Sequence, residues 1–353
     1  MQSKHVTLDD FLASELAGKN GESAAAGLPA LLGEIAQAVS IIASLIDRRE
    51  LERGTLAGVA REPIDIAARG VLAALCESCA SIAGCAATGV GTARATAASA
   101  RGAWLLAFDA LDGAGQAGEN GMAGSIFSVR AATGQAMGDE QGLLCEGAAL
   151  RAAGYAVYGP STMLVLTLGR GTHGFTLARE SGTFVLTHRS IRIPEEGAEL
   201  SIDGARERCW APPVLRYVRE CREGSMGERG RDFSMRFSGC AVADVHRILV
   251  GGGLGIVPCE HHAAHGGGLS LVHAAQPLAW LVEQAGGAAS TGRERVLELR
   301  PASLDERTGI AIGAECEVAR LERYYREYER GVDRPFISPL FNERSLYRPE
   351  ACA

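Results

Sequence analysis

The chain has 353 residues, a net charge of −7, 47% apolar and 22% charged residues. That is globular composition, long enough for one large domain or two of ordinary size, and it excludes a disordered chain. Its basic residues are 33 arginines and only two lysines, Lys4 and Lys19, with no basic block, so nucleic acid is not an expected partner.

No unbroken apolar run reaches the roughly 20 residues of a membrane span. The start, Met1-Gln2-Ser3-Lys4-His5, runs into Asp9-Asp10 with no apolar core of the secretory kind. A cytoplasmic protein outside the membrane is the expectation.

In chain order, apolar residues at Leu28, Leu31, Leu32, Ile35, Val39, Ile42 and Leu45 repeat near 3.6, which predicts an amphipathic helix over 28–47. A second helix is predicted over 66–81. It carries Cys76-x-x-Cys79, with Cys85 just beyond. Zinc or redox chemistry uses such spacing, but no second pair completes a tetrahedral site, and small reduced core residues are the plainer reading. Residues 86–102, rich in Ala, Gly, Thr and Ser, read as a loop. Trp104-Leu105-Leu106-Ala107-Phe108 reads as a buried strand stopping at Asp109, and 126–130 as another. Two more strands are predicted over 154–168 and 174–187, around a turn at 169–172. Pro194-Glu195-Glu196-Gly197 breaks the pattern and sets a boundary, giving subdomains 1–192 and 193–330 and a tail, 331–353. In the second half the pattern predicts a strand at 200–202, helices at 214–223 and 243–250, a strand at 254–257 and a helix over 277–285 stopped by Gly286-Gly287. Alternating strands and helices make the class α/β.

Three segments resemble the class I fructose-1,6-bisphosphatase family. Trp104 to Gly113, containing Asp109-Ala-Leu-Asp112-Gly113, and then Gly124-Ser-Ile-Phe127, resemble its apolar strand, Asp-Pro-Leu-Asp-Gly and Gly-(Ser/Thr)-Ile-Phe. Ala152-Ala-Gly-Tyr155-Ala-Val-Tyr158-Gly159 is similar to its Ala-Ala-Gly-Tyr-Ala-Leu-Tyr-Gly. Val242-Ala-Asp244-Val-His246-Arg247, and later Ala285-Gly286-Gly287, follow in family order. The resemblance implies a layered α/β/α/β/α sugar-phosphatase fold in two subdomains, assembled as a homotetramer or homodimer, and a carboxylate cluster holding Mg²⁺.

Position by position, Asp65, Asp109 and Asp112 match acids of that cluster, whereas Val59, the stretch Ala87-Thr88 and Ala274 stand where the family has others. Ala114-Gly115-Gln116 replaces its Ser-Ser-Asn. Phe237, Val257 and Arg206 replace tyrosines, Gly268 a lysine and Asp203 an asparagine, while Arg236 keeps an arginine given across a subunit interface. Each lost charge-assisted contact costs about 1.5–3 kcal/mol. The expectation is therefore a degenerate member with no metal ligands, no cofactor beyond weak residual Mg²⁺ binding, and a larger, less polar pocket. Its function is expected to be metal-independent acid/base chemistry (cyclase, isomerase, dehydratase or lyase type) on a small apolar metabolite in secondary-metabolite biosynthesis. Asp109 and Asp112 would be the acid–base pair with His273 as a further base, and Arg236, Asp65, Gln116, Phe237 and Ala274 would contact substrate. Two alternatives stand beside it: a non-catalytic metabolite-binding or regulatory protein, and a weak Mg²⁺-dependent sugar phosphatase.

Plainer roles stay open. Asp109 and Asp112 can be strand-end acceptors, Asp65 a helix residue, Arg236 a subunit contact and His273 a hydrogen-bonded core residue. The Cys259-x-His261-His262-x-x-His265 cluster has zinc-type ligands but matches no zinc spacing, and reads as a surface loop.

Overall fold

Strand β3 (Trp104–Asp112) is the axis of the molecule, in a computed structural model that describes residues 5–16, 27–53, 63–97, 102–132, 140–259 and 267–332. Its first five residues are all buried, as an unbroken apolar run requires. On one side it pairs in parallel with β1 (Ile82–Ala87), which carries the short β2 (Arg94–Ala95). On the other side the sheet continues antiparallel through β4 (Ala123–Ala131), β5 (Leu150–Tyr158), β6 (Thr162–Thr167), β7 (Thr172–Ala178) and β8 (Thr183–Ile191).

The chain then leaves this eight-stranded sheet for a second one, of five strands. It contains β9 (Glu199–Ser201), β10 (Ser234–Met235), β11 (Leu254–Val257), β13 (Gly287–Ser290) and β15 (Ile310–Ala314), in the order β10-β9-β11-β15-β13. Strands β12 (Leu269–Ser270) and β14 (Arg307–Thr308) form a separate ribbon.

The apolar faces dictate the stacking. Helices α1 (Leu8–Leu16), α2 (Leu28–Arg53) and α3 (Ile64–Ser78) bury Phe11, Leu31, Ile35 and Leu72 against Leu106, Phe108 and Phe127. Two short helices, α4 (Ala114–Gly118) and α5 (Glu140–Leu143), follow β3 and β4. The opposite sheet face, with Ile126, Tyr155 and Val165, meets α7 (Ala241–Gly251) and α8 (Gln276–Gln284), which in turn cover Ile310 and Ile312 of the second sheet. Beyond that sheet lie α6 (Pro212–Glu223) and α9 (Glu315–Glu329), whose Tyr217, Val318 and Leu321 pack on Leu254 and Ile256. The order is α/β/α/β/α. Alternation along each strand supplies an apolar residue to both faces, so helices can cover both.

Several expectations change. The segment 154–168 is two strands, β5 and β6, turned at Gly159-Pro160-Ser161, and 174–187 belongs to the β7–β8 hairpin. Strand β1 arises from Ile82-Ala-Gly-Cys-Ala-Ala87, which has one β-branched residue and becomes a strand because β3 pairs with it. Strand β15 and helix α9 complete the outer layers in a stretch to which periodicity assigns nothing. Helix α2 runs to Arg53, and among the described residues its Leu28–Arg48 segment is long and apolar enough to span a bilayer. Leu31, Leu32, Ile35, Val39 and Ile42 are at most 1% exposed, so that apolarity serves the core.

Candidate active site

The carboxylates of Asp109 and Asp112 are three residues apart, a spacing that places side chains on opposite faces of a regular strand. Here the register slips: Asp109 lies opposite Ile126 while Asp112 lies opposite Gly124, so three steps on β3 match two on β4. That bulge absorbs one residue. Ala110 and Leu111 both bury on the α2–α3 side, and Asp109 and Asp112 come to the same face, where Asp112 meets α7. Gly113 turns the chain next with φ 73°, and a Cβ there would meet Cys240 Cβ at 2.7 Å.

Helix α7 points its N-terminus at this bulge. Val242 N–H donates to Asp112 Oδ2 at 2.9 Å, and the Cys240 thiol lies 3.2 Å from the same oxygen. Gly124 lets the helix approach, since a Cβ there would lie 2.4 Å from Val242 Cγ1. Burial pushes Asp112 upward while the helix N–H groups hold it down. Burial first, and the Asp112 charge second, raise Asp109 to about 6; the Leu111 N–H, Thr88 and Arg69 act in the opposite direction. A carboxyl group that titrates near neutrality can both accept and donate a proton.

A cavity of about 140 Å³ opens beside Asp112, walled by Phe237, Gly239, Ala241, Val257 and Leu278. Ser201 and Asp244 add polar groups to this wall, and the cavity is small beside the roughly 300–1,000 Å³ of pockets that take drug-sized ligands. Phe237, half exposed, stands at the rim, and the Gln116 side chain from α4 lies against Gly239.

The other sequence candidates disperse. Arg236 follows the edge strand β10, exposes 57% of its side chain and pairs with Glu199 at 3.3 Å. Asp65 sits in the first turn of α3, where its charge suits the helix dipole. Ala274 is 3% exposed within the apolar layer between the sheets. His273 is buried; its Nδ1 meets Ser270 Oγ at 2.9 Å, and its Nε2 has no partner. Its charged neighbour is Arg130, which lies opposite Leu105, four residues back along β3 from Asp109. At 3.3 Å per residue that is about 13 Å. Neither carboxylate is among the charges that act on His273, and His273 is not among those that act on them. His246 Nδ1 lies 2.8 Å from the Tyr155 hydroxyl in the helix–sheet interface. Val59, His261, His262, His265 and the tail 333–353 lie outside the described residues.

Sequence reasoning missed Val242 and Cys240 as partners of Asp112, and Thr88 beside Asp109. The available signal was the Asp-x-x-Asp-Gly run at the end of an apolar strand, whose same-face placement needs a bulge.

The comparisons agree with this architecture. Residues 6–189 match the N-terminal domain and 193–326 the C-terminal domain of fructose-1,6-bisphosphatase family models. The chain is 44% identical over 387 aligned positions to a fructose-1,6-bisphosphatase class 1 of Paraburkholderia phymatum, covering 99% of both chains. It is 46% identical over 251 positions to a fructose-1,6-bisphosphatase class 1 of Methylacidiphilum infernorum, covering 70% of each. The crystal structure of Leishmania major fructose-1,6-bisphosphatase in holo form superposes with a TM-score of 0.81 at 28% identity, covering 92% of this chain and 100% of that one.

These matches overturn two expectations. A relative 44% identical end to end that bears a phosphatase name displaces the cyclase, isomerase, dehydratase or lyase reading and its apolar metabolite. The cofactor-free reading falls with it, since what the family implies is Mg²⁺. The donors among the described residues do not assemble a full metal cage. Among the described residues no group of three or more His, Cys, Asp or Glu side chains is placed to hold a metal ion, and Asp112 Oδ2 is engaged by Val242. Two carboxylates fall short of the several fixed oxygens that a hard cation takes from a dedicated site.

Proposed function

Because the chain belongs to the class 1 fructose-1,6-bisphosphatase family, we propose that it hydrolyses a phosphate ester of a sugar, with fructose 1,6-bisphosphate as the first substrate to test. The observation that carries this reading is the 44% identity sustained over 99% of both chains. The bulge at the end of β3 supports it locally, for it offers two carboxylates on one face beside a helix N-terminus, where an anionic ester is favoured.

Asp109 takes a proton from the attacking water at its carboxylate and returns one to the leaving sugar oxygen, a role that suits a group titrating near 6. Asp112, fixed by Val242 N–H, holds the bulge in place. Phe237 and Gln116 at the cavity rim contact the sugar. Arg236, more than half exposed beside Glu199, turns to the site of a second copy in a homodimer or homotetramer. Asp65 and Ala274 make no direct contact in this scheme. We read 1–192 and 193–330 as the two subdomains and the cytoplasm as the compartment; the nine described cysteines are all free thiols, in keeping with a reducing setting.

The test is phosphate release from fructose 1,6-bisphosphate across a Mg²⁺ titration. Release that needs Mg²⁺ and is lost in Asp109→Asn supports the proposal. A folded protein that releases no phosphate at any Mg²⁺ concentration ends it.

A further inference from the structure

The Cys76-x-x-Cys79 spacing suggests a pair that the fold does not make. Cys79 Sγ lies 3.0 Å from Ser81 Oγ. Cys76, in the last turn of α3, instead faces Cys85 on β1, near enough for each thiol to act on the other's titration. Both are buried, at 2% and 7% exposure, yet both line a cavity of about 200 Å³ shared with Arg69, Glu77, Arg94 and Phe108. Arg94 is the cross-strand partner of Cys85. Two thiols on the wall of one cavity, with a cation beside one of them, are the parts of a reactive dithiol.

We propose that Cys76 and Cys85 form a peroxide-reactive dithiol that closes to a disulfide between α3 and β1. The Cys85 thiolate attacks hydrogen peroxide, takes one oxygen as a sulfenic acid and releases hydroxide, which the displaced thiol proton converts to water. The Cys76 sulfur then attacks the Cys85 sulfur, and its proton leaves with the sulfenic hydroxyl as a second water. Two thiols lose two electrons and peroxide gains them.

The roles are not interchangeable. Arg94, the cross-strand partner of Cys85, favours the thiolate there, whereas no cation is among the groups that act on buried Cys76. Cys85 is therefore the attacking sulfur and Cys76 the resolving one. Peroxide is small enough for a cavity of about 200 Å³ that both cysteines line. The disulfide would brace the strand that leads to Thr88, whose N–H bonds Phe108 O at 3.0 Å beside Asp109.

The experiment treats the full chain with hydrogen peroxide, removes the excess with catalase, alkylates in denaturant and maps the peptides without reduction. The expected result is a Cys76–Cys85 crosslink, reversed by dithiothreitol, with Cys221 and Cys240 still alkylated. In Cys76→Ser, Cys85 is expected to accumulate a sulfenic acid trapped by dimedone. Alkylation of both Cys76 and Cys85 after peroxide, or a Cys76–Cys79 crosslink, overturns the proposal. Should Cys76→Ser fail to fold, the map of the unmodified chain decides by itself.

Discussion

Asp112 at the end of β3 accepts a hydrogen bond from Val242 N–H in the first turn of α7 at 2.9 Å, so one carboxylate joins the two halves of the chain. It acts as a helix cap supplied from 130 residues away. Removing a capping acceptor costs about 0.5–2 kcal/mol. Asp112→Ala is therefore expected to lower stability in urea by about that amount, and Asp112→Asn, which keeps an acceptor, by less. Equal losses in the two variants would show that charge, not capping, holds the helix.

Asp109 carries the opposite stability signature. Its folded value, about 6, lies above the ordinary 3.8, so the stabilisation linked to its protonated form is complete below 3.8 and lost as pH rises through 6. Asp109→Asn removes that loss. With chelator present, the variant is expected to be more stable than the parent at pH 8 by about 1–2 kcal/mol, a figure discounted for solvent screening because the side chain is half-buried. The gain should disappear at pH 4, while phosphate release falls sharply. A variant no more stable at pH 8 than at pH 4, relative to the parent, contradicts the assigned burial cost.

For His273 the sign reverses. Burial first, and Arg130 second, lower it from 6.5 to about 4. Its contribution is complete above 6.5 and lost as pH falls through 4, a change of up to about 3 kcal/mol. His273→Asn should flatten the dependence of stability on pH between 4 and 6.5, and phosphate release at pH 7.5 should stay within about twofold of the parent, since His273 is not among the charges that act on either carboxylate. Abolished turnover in a folded variant would return His273 to the reaction.

Glu317 in α9 anchors the outer layer. It accepts from Arg229 Nη2 at 2.5 and 2.6 Å and from the Tyr217 hydroxyl at 2.7 Å, and pairs with Arg231 as well. The Arg229 and Glu317 side chains are 2% and 3% exposed. Breaking one side of a buried pair costs about 3–5 kcal/mol. Glu317→Ala is expected to lose that much in chemical denaturation, and Glu317→Gln less, because it still accepts from Tyr217. A loss under 1 kcal/mol in Glu317→Ala, a surface-pair magnitude, would mean that the arginines find other partners.

Local pattern establishes a good deal of this protein. The run Trp104–Phe108 is a strand and 28–47 a helix because periodicity and apolar continuity act over a few residues, and the ordered Asp-Ala-Leu-Asp-Gly, Gly-Ser-Ile-Phe and Ala-Ala-Gly-Tyr segments carry the family. Counting missing acids along the chain, however, led to a non-phosphatase that a full-length relative contradicts. Pairing across distance settled the rest. Asp109 and Asp112 share a face only because β4 imposes a bulge, His273 comes under the charge of Arg130 because the segment between β12 and α8 docks against β3 and β4, and Cys76 faces Cys85 because β1 folds back along α3. Each of these depends on which segments become neighbours. That is decided by the burial of apolar faces between layers, and no window of adjacent residues contains it.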